Sequence, residues 1–230
     1  MDAFRELLAC PSCAGALTIE LACRACGSRF DAPDGIPNLR LPADERTETV
    51  RRFYERAPFP GYPPRDSLHA LRLRAEQNAF AQLLDRAIPG DARIVEIGCG
   101  TGQLCLYLAR ADRIVVGADL TRASLLLGAA AARRFGLHRV QFVETDLNRP
   151  GLKTGVFDVV YSAGVLHHTP NPRGDRHRQR RRRGRRSCRL DAANQRRGSA
   201  GCPDSHGPDA EGRRSAGRST VKPFSDADRR

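Results

Sequence analysis

Four cysteines stand in two close pairs near the start of the chain: Cys10-x2-Cys13, nine residues, then Cys23-x2-Cys26, in the stretch CPSCAGALTIELACRACG. A C-x2-C turn aims two thiolates at one point, and two such turns complete a tetrahedral set of sulfur ligands. The chemistry this predicts is structural zinc binding by Cys10, Cys13, Cys23 and Cys26, because four thiolates leave no open position for a substrate. The spacing leaves two alternatives open, a pair of disulfides or a ribbon that has lost its metal. The alternation in ALTIELA predicts a short strand joining the two turns. About 40 residues cannot bury a stable core alone, so the metal is expected to supply most of this module's folding energy.

A second group of chemistry-bearing residues follows short apolar runs: Glu96-Ile97-Gly98-Cys99-Gly100-Thr101-Gly102, then Asp119, then Asp146. Glycines let the chain turn sharply and let a ligand approach the backbone. A carboxylate about twenty residues after such a turn is placed to accept both hydroxyls of a ribose. Asp146 can accept from an adenine amino group. The turn is G-x-G-x-G preceded by an acid, not the G-x-G-x-x-G of nicotinamide enzymes. Glu96 would repel a pyrophosphate and suits a cationic ligand. S-adenosylmethionine carries a sulfonium and an ammonium but no phosphate, and it fits those charges. Further on, His167 and His168 stand in the stretch FDVVYSAGVLHHTPNP. An imidazole titrating near neutral pH could take a proton from a nucleophile; equally, the pair could shape the pocket or cap the next helix. Cys99 and Cys105 read as small core-facing residues rather than metal ligands.

The elements that must position these groups alternate. Apolar strands are predicted at 93–98, 113–120, 140–147 and 157–164. Helices are predicted at 103–111 and at 121–136, with Thr121 as N-cap and Gly136 as the stop. Strands separated by helices mean parallel βαβ units, hence an α/β, Rossmann-like, doubly wound sheet with its ligand beyond the carboxyl ends of the strands. Ahead of the sheet, Leu68 to Ala87 recurs at helical spacing until Pro89-Gly90 stops it. The preceding stretch, rich in Pro, Arg and acids, reads as a connector of low internal order with a helical turn around Val50–Glu55. Its segment FYERAPFPGY gathers four aromatics, Phe53, Tyr54, Phe59 and Tyr62, which suit either a strap packed on the next domain or a lid over a pocket. The organisation expected is a ribbon over 1–40, a linker over 41–67, a catalytic α/β region over 68–172 and a basic tail over 173–230.

Taken together, VEIGCGTGQL, VVGADLT, VETDL and FDVVYSAGVLHHTPNP resemble the class I S-adenosylmethionine-dependent methyltransferases, in the branch that includes the quinone-biosynthesis enzymes. The likeness covers about residues 70–172. It implies that Gly98, Gly100 and Gly102 line the methionine end of the cofactor with Glu96 behind them. Asp119 would hold the ribose, and Asp146 with Leu147 the adenine. Cys99, Leu120 and Ser162 would complete the cofactor contacts, and Ser162 to His168 would face the methyl group and its acceptor. Phe-Pro-x-Tyr segments like that of the linker precede the catalytic domain in some bacterial methyltransferases. The passage LLACPSC…CRACGSRFDAPDGIPNL is similar to a small zinc-ribbon family that partners methyltransferases or is fused to them, over about residues 5–40. Such ribbons accompany enzymes acting on RNA, protein and small molecules, so the acceptor is left open among these.

Past Pro172 the character changes. The formal net charge is +13, of which about +11 falls in residues 173–230 and about +2 in the rest. Leu190, Val221 and Phe224 are the tail's whole supply of Leu, Ile, Val and Phe, which predicts disorder. The resembled sheet has seven strands, ordered 3-2-1-4-5-7-6, and nothing after Pro172 has the apolar run of its strand 5. The expectation is an incomplete sheet with an open edge on strand 4. The tail's residue types are those of a GC-rich gene read out of frame. Shifting CGN arginine codons by one nucleotide turns RGDRHRQR into an apolar, helix-forming segment, which points to a frame change near codons 172–174. A chain truncated in this way could be inactive as written. If the tail is genuine coding sequence, a nucleic-acid-binding protein of zinc ribbon plus arginine tail is the competing reading. No stretch is apolar enough to span a membrane and the start lacks a secretory h-region, so the cytoplasm is expected, where paired cysteines bind metal rather than form disulfides.

Overall fold

The computed structural model describes residues 2–62 and 66–165, together with the backbone of 189–191. All of these fall in one compact unit, Met1–Gly198. His167, His168 and, apart from that backbone, the whole 173–230 tail lie outside the described residues.

The centre is a parallel sheet in the order β3-β2-β1-β4-β5. Its strands are β1 (Arg93–Ile97), β2 (Ile114–Asp119), β3 (Val140–Glu144), β4 (Val159–Ser162) and β5 (Arg189–Asp191). The first four fall inside the predicted runs. The expected open edge on β4 is corrected: Val160, Tyr161 and Ser162 pair with Arg189, Leu190 and Asp191. Three residues with one apolar member carry no period that sequence reasoning could detect.

Between strands run α5 (Gln103–Leu108) and α6 (Arg122–Arg134). Gly136 ends α6 in a left-handed conformation, φ 68°, the common role of glycine after a helix. Thr121 holds the N-cap position but makes no side-chain cap; its hydroxyl donates to Asp119 instead, at 2.7 Å. The long helix expected from Leu68 is two helices, α3 (Leu68–Glu76) and α4 (Ala79–Ala87). Asn78 breaks the run because its side-chain oxygen accepts from the Phe80 and Ala81 amides at the start of α4.

The linker is also more ordered than expected. It carries a twelve-residue helix, α2 (Glu45–Arg56), capped by Asp44, which accepts from the Thr47 amide at 2.9 Å. A short helix α1 (Asp2–Arg5) opens the chain. The strand expected between the cysteine pairs is reduced to isolated bridges, Leu17 with Cys23 and Ala22 with Arg29.

Alternate residues of each strand divide between two cores, as a pleated sheet requires. One face sends Ile94, Val115, Phe142 and Val159 against Leu71 and Leu84 from α3 and α4, Leu106 from α5 and Leu125 from α6. The other sends Val95, Ile97, Val116, Val143 and Val160 against Phe4, Leu7, Leu8, Leu21 and Leu39. Residues 1–40 thus cover the second face of the sheet. They also pair with its periphery. The Leu39 amide donates to Glu144 O and the Glu144 amide to Pro37 O, so this stretch lies along β3 as an extra edge. The Ala9 amide donates to Gly151 O and that of Lys153 to Leu7 O. Leu39 is fully enclosed and presses on Gly151, where a Cβ would lie 2.5 Å from its Cδ1. Leu39→Ala is expected to cost about 2–4 kcal/mol, through lost burial and a cavity that the sheet face cannot fill; a urea melt followed by circular dichroism measures it.

Candidate functional site

Beyond the carboxyl ends of β1 to β4 lies a cavity of about 310 Å³, within the range of small-molecule sites. Gly98 and Gly100 come from the turn after β1, and Asp119 and Leu120 from the end of β2. Thr145, Asp146, Leu147 and Asn148 follow β3, and Ala163, Gly164 and Val165 follow β4. Each strand end contributes because parallel strands finish on one side of the sheet.

The glycine turn is shaped by what it must avoid. Gly98 and Gly100 both have positive φ, 76° and 54°. A Cβ on Gly98 would run into the Val165 side chain and one on Gly100 into the Phe59 carbonyl, both well inside 3.0 Å. Asp119 braces the turn: one carboxylate oxygen accepts from the Gly100 amide at 2.8 Å, the other from the Thr121 amide and hydroxyl. Asp146 accepts from the Asn148 amide and side chain, 2.8 and 2.9 Å, which closes the loop after β3.

Four residues named from the sequence lie behind the cavity wall rather than on it. Gly102 starts α5 and packs against the Phe142 ring. Cys99 is buried with its sulfur against Gly117. Ser162 donates to Ile97 O at 2.9 Å, tying β4 to β1. Glu96 accepts from the Cys105 thiol at 3.0 Å. Burial pushes the Cys99 thiol up to about 11. The neighbouring Cys99 thiol and burial push Cys105 up as well. Both therefore stay protonated and are poor nucleophiles.

Burial, with the Asp119 charge nearby, raises the Glu96 carboxyl from 4.5 to about 7, although the residue keeps some solvent contact. Folding therefore disfavours its charged form. The cost grows as pH rises from 4.5 to 7 and is constant above that. Glu96→Gln is expected to stabilise the ligand-free chain by on the order of 1–3 kcal/mol above pH 7 and to change little near pH 4. Thermal melts at pH 4.5 and pH 8 check this.

The linker supplies a wall that sequence reasoning did not specify. Thr47, Val50 and Tyr54 of α2 line the cavity at i, i+3 and i+7, and Phe59 joins them. That spacing was the available signal for a helix face. The Glu55 carboxylate accepts from the Ala123 amide, fixing α2 against the start of α6. Residues 59–62 are strapped to the glycine turn. The Thr101 hydroxyl donates to Pro60 O, the Tyr62 hydroxyl to Thr101 O at 2.6 Å and the Gln103 side chain to Gly61 O at 3.0 Å. The segment FYERAPFPGY is thus pinned to the glycine turn, and its Tyr54 and Phe59 line the cavity.

At the other end, the four ribbon sulfurs lie within 4.8 Å of one another. Cys10 and Cys26 are 3.6 Å apart and Cys13 and Cys23 3.4 Å. Sulfurs 2.3 Å from one tetrahedral zinc would be roughly 3.8 Å apart, so the cluster fits that ion closely. A disulfide would need about 2.05 Å, and all four thiols are free. The Ser28 hydroxyl and amide hold the Cys26 thiol down to about 6, while the neighbouring Cys23 and Cys26 sulfurs push Cys13 up to about 12.

Residues 94–183 match the family model described as a methyltransferase domain. Among curated relatives, the chain is 30% identical over 136 residues to the protein syc1184_c of Synechococcus, covering 56% of this chain and 32% of that one. It is 34% identical over 90 residues to a 23S rRNA uracil C5-methyltransferase of Pseudomonas putida, 39% of this chain and 19% of that one. It is 31% identical over 116 residues to the ubiquinone biosynthesis O-methyltransferase of Ruegeria, 48% of this chain and 47% of that one. The chain spans less than half the length of these relatives. The crystal structure of the [4+2]-cyclase SpnF aligns with a TM-score of 0.47 at 23% identity, over 63% of this chain and 59% of that one. The α/β region is similar to methyltransferase domains over residues 94–183. No helix among the described residues is long and apolar enough to cross a membrane.

Proposed function

We propose that the chain binds S-adenosylmethionine in the cavity at the strand ends and transfers its methyl group to an acceptor. The observation that carries this reading is convergence. Gly98 and Gly100, Asp119 and Leu120, and Asp146 and Leu147 come from three strand ends and meet on one cavity. The donor set suits the ligand. Asp119 offers a carboxylate to a ribose, Asp146 and Leu147 flank an adenine, and the glycines admit a methionine chain close to the backbone.

The cofactor, when bound, supplies an electrophilic methyl group. The protein's task is then alignment, which can account for much of the rate. Asp119, already fixed by three donors, orients the ribose without having to reorganise. The Phe59–Tyr62 strap keeps the glycine turn in shape and limits water. His167 or His168 would serve as base for an acceptor that must lose a proton. Cys10, Cys13, Cys23 and Cys26 hold a structural zinc.

Ultraviolet crosslinking of methyl-labelled S-adenosylmethionine to the full chain tests the reading. Labelling of the wild type that is reduced about tenfold or more in Asp119→Asn, as loss of a charged hydrogen bond predicts, supports it. Absence of labelling, or equal labelling of both, contradicts it.

A further inference from the structure

Phe59 is 72% exposed, yet it lines the cavity. A large aromatic ring left in water forgoes a substantial burial gain, so its position calls for an explanation. The chain spends several hydrogen bonds to hold it there. The Thr101 amide donates to Phe59 O at 3.4 Å. Thr101, Tyr62 and Gln103 bind the next three residues to the glycine turn. Gly100 allows this approach, because any Cβ there would collide with the Phe59 carbonyl. The backbone is fixed and the ring is left uncovered.

The surroundings say what could cover it. The same cavity is lined by Ile97, Gly98, Ala163 and Val165, all without charge, and by the Asp119 carboxylate. Asp119 is close through the Gly100 amide, and the cofactor reading commits its carboxylate to the ribose. Glu96 is engaged by Cys105 behind the wall. A cation bound beside the glycine turn would meet the face of this ring as well as the Asp119 carboxylate.

Building on the cofactor reading, we propose that Phe59 contacts the cofactor's sulfonium and makes the site prefer the charged methyl donor to its neutral thioether product. The ring covers the glycine end when the donor is bound and loses its electrostatic partner once the methyl group has left. S-adenosylhomocysteine is then held less tightly than the donor, which assists its release.

Dissociation constants of S-adenosylmethionine and S-adenosylhomocysteine are to be measured by calorimetry on the zinc-loaded full chain, for the wild type, Phe59→Tyr and Phe59→Leu. Leucine keeps apolar bulk and removes the ring, at an exposed position where folding is not at stake. The expected result is that Phe59→Leu weakens the sulfonium ligand about five- to tenfold and the thioether less than about twofold, while Phe59→Tyr keeps the wild-type ratio. Equal weakening of both ligands, or no change, overturns the role of the ring while leaving the cofactor reading intact. Failure of the wild type to bind either ligand overturns both.

Discussion

Chelating the metal from the zinc-loaded chain will lower its melting temperature by about 10 °C or more and weaken S-adenosylhomocysteine binding at least about tenfold. The ribbon and the cavity share structure. Leu7, Leu8 and Leu21 sit on the sheet face among Val95, Val116 and Val143. Cys10 directly follows Ala9, whose amide bonds Gly151, and Leu7 O receives the Lys153 amide. On the other side, Pro37 and Leu39 pair with Glu144. The loop carrying Thr145, Asp146, Leu147 and Asn148 is therefore held at both ends by residues of the ribbon segment. Two ion pairs reinforce the clamp, since buried Glu144 takes Arg40 at 3.2 Å and Arg122 at 2.9 Å. Loss of the metal frees the two cysteine turns and with them the cover of that sheet face. Linkage is reciprocal, so S-adenosylhomocysteine should tighten zinc binding by the same factor. Zinc titrations with and without the nucleoside check this, and Cys23→Ser should reproduce the metal-free behaviour.

The second large effect is expected at Gly100. Gly100→Ala pays for a left-handed residue and also drives a methyl group into the Phe59 carbonyl. The turn must move away from the strap, from Asp119 or from both. Cofactor affinity should fall about thirtyfold or more, with a stability loss of about 1–3 kcal/mol. Gly136→Ala is the control. Gly136 also has positive φ, 68°, but nothing lies within 4 Å of a Cβ there. It should lose about 1 kcal/mol of stability and leave cofactor affinity unchanged. Calorimetric binding and thermal melts on the two variants separate backbone strain from the collision.

What could be read in advance followed local rules. The four long strands and two crossover helices announce themselves by apolar runs and glycine stops, and the acids at strand ends follow from them. Gly98, Gly100, Asp119, Leu120, Asp146 and Leu147 could thus be named before their meeting on one cavity was visible. The ribbon's sulfur cluster was equally local, set by two C-x2-C turns. Long-range partnerships were not legible. Leu7, Leu8, Leu21 and Leu39 look like a small module's own apolar residues, and nothing near them in the chain says that they cover a sheet. A turn around Val50–Glu55 was legible, but the full length of α2 (Glu45–Arg56) was hidden by the charged residues around Thr47, Val50 and Tyr54. The break at Asn78 is a capping signal inside a helical period, and the cap overrides the period. Gly102, Cys99, Glu96 and Ser162 show the limit of a motif. It names the stretch around a site, whereas which side chains reach the cavity depends on packing by Phe142, Gly117, Cys105 and Ile97.

Titration of the zinc-loaded full chain with S-adenosylhomocysteine in a calorimeter tests the cofactor site most directly. Saturable one-to-one binding, lost in Asp119→Ala, is the expected result. A folded, zinc-loaded chain that gives no binding heat at millimolar ligand, about the weak end of specific affinities, would contradict it.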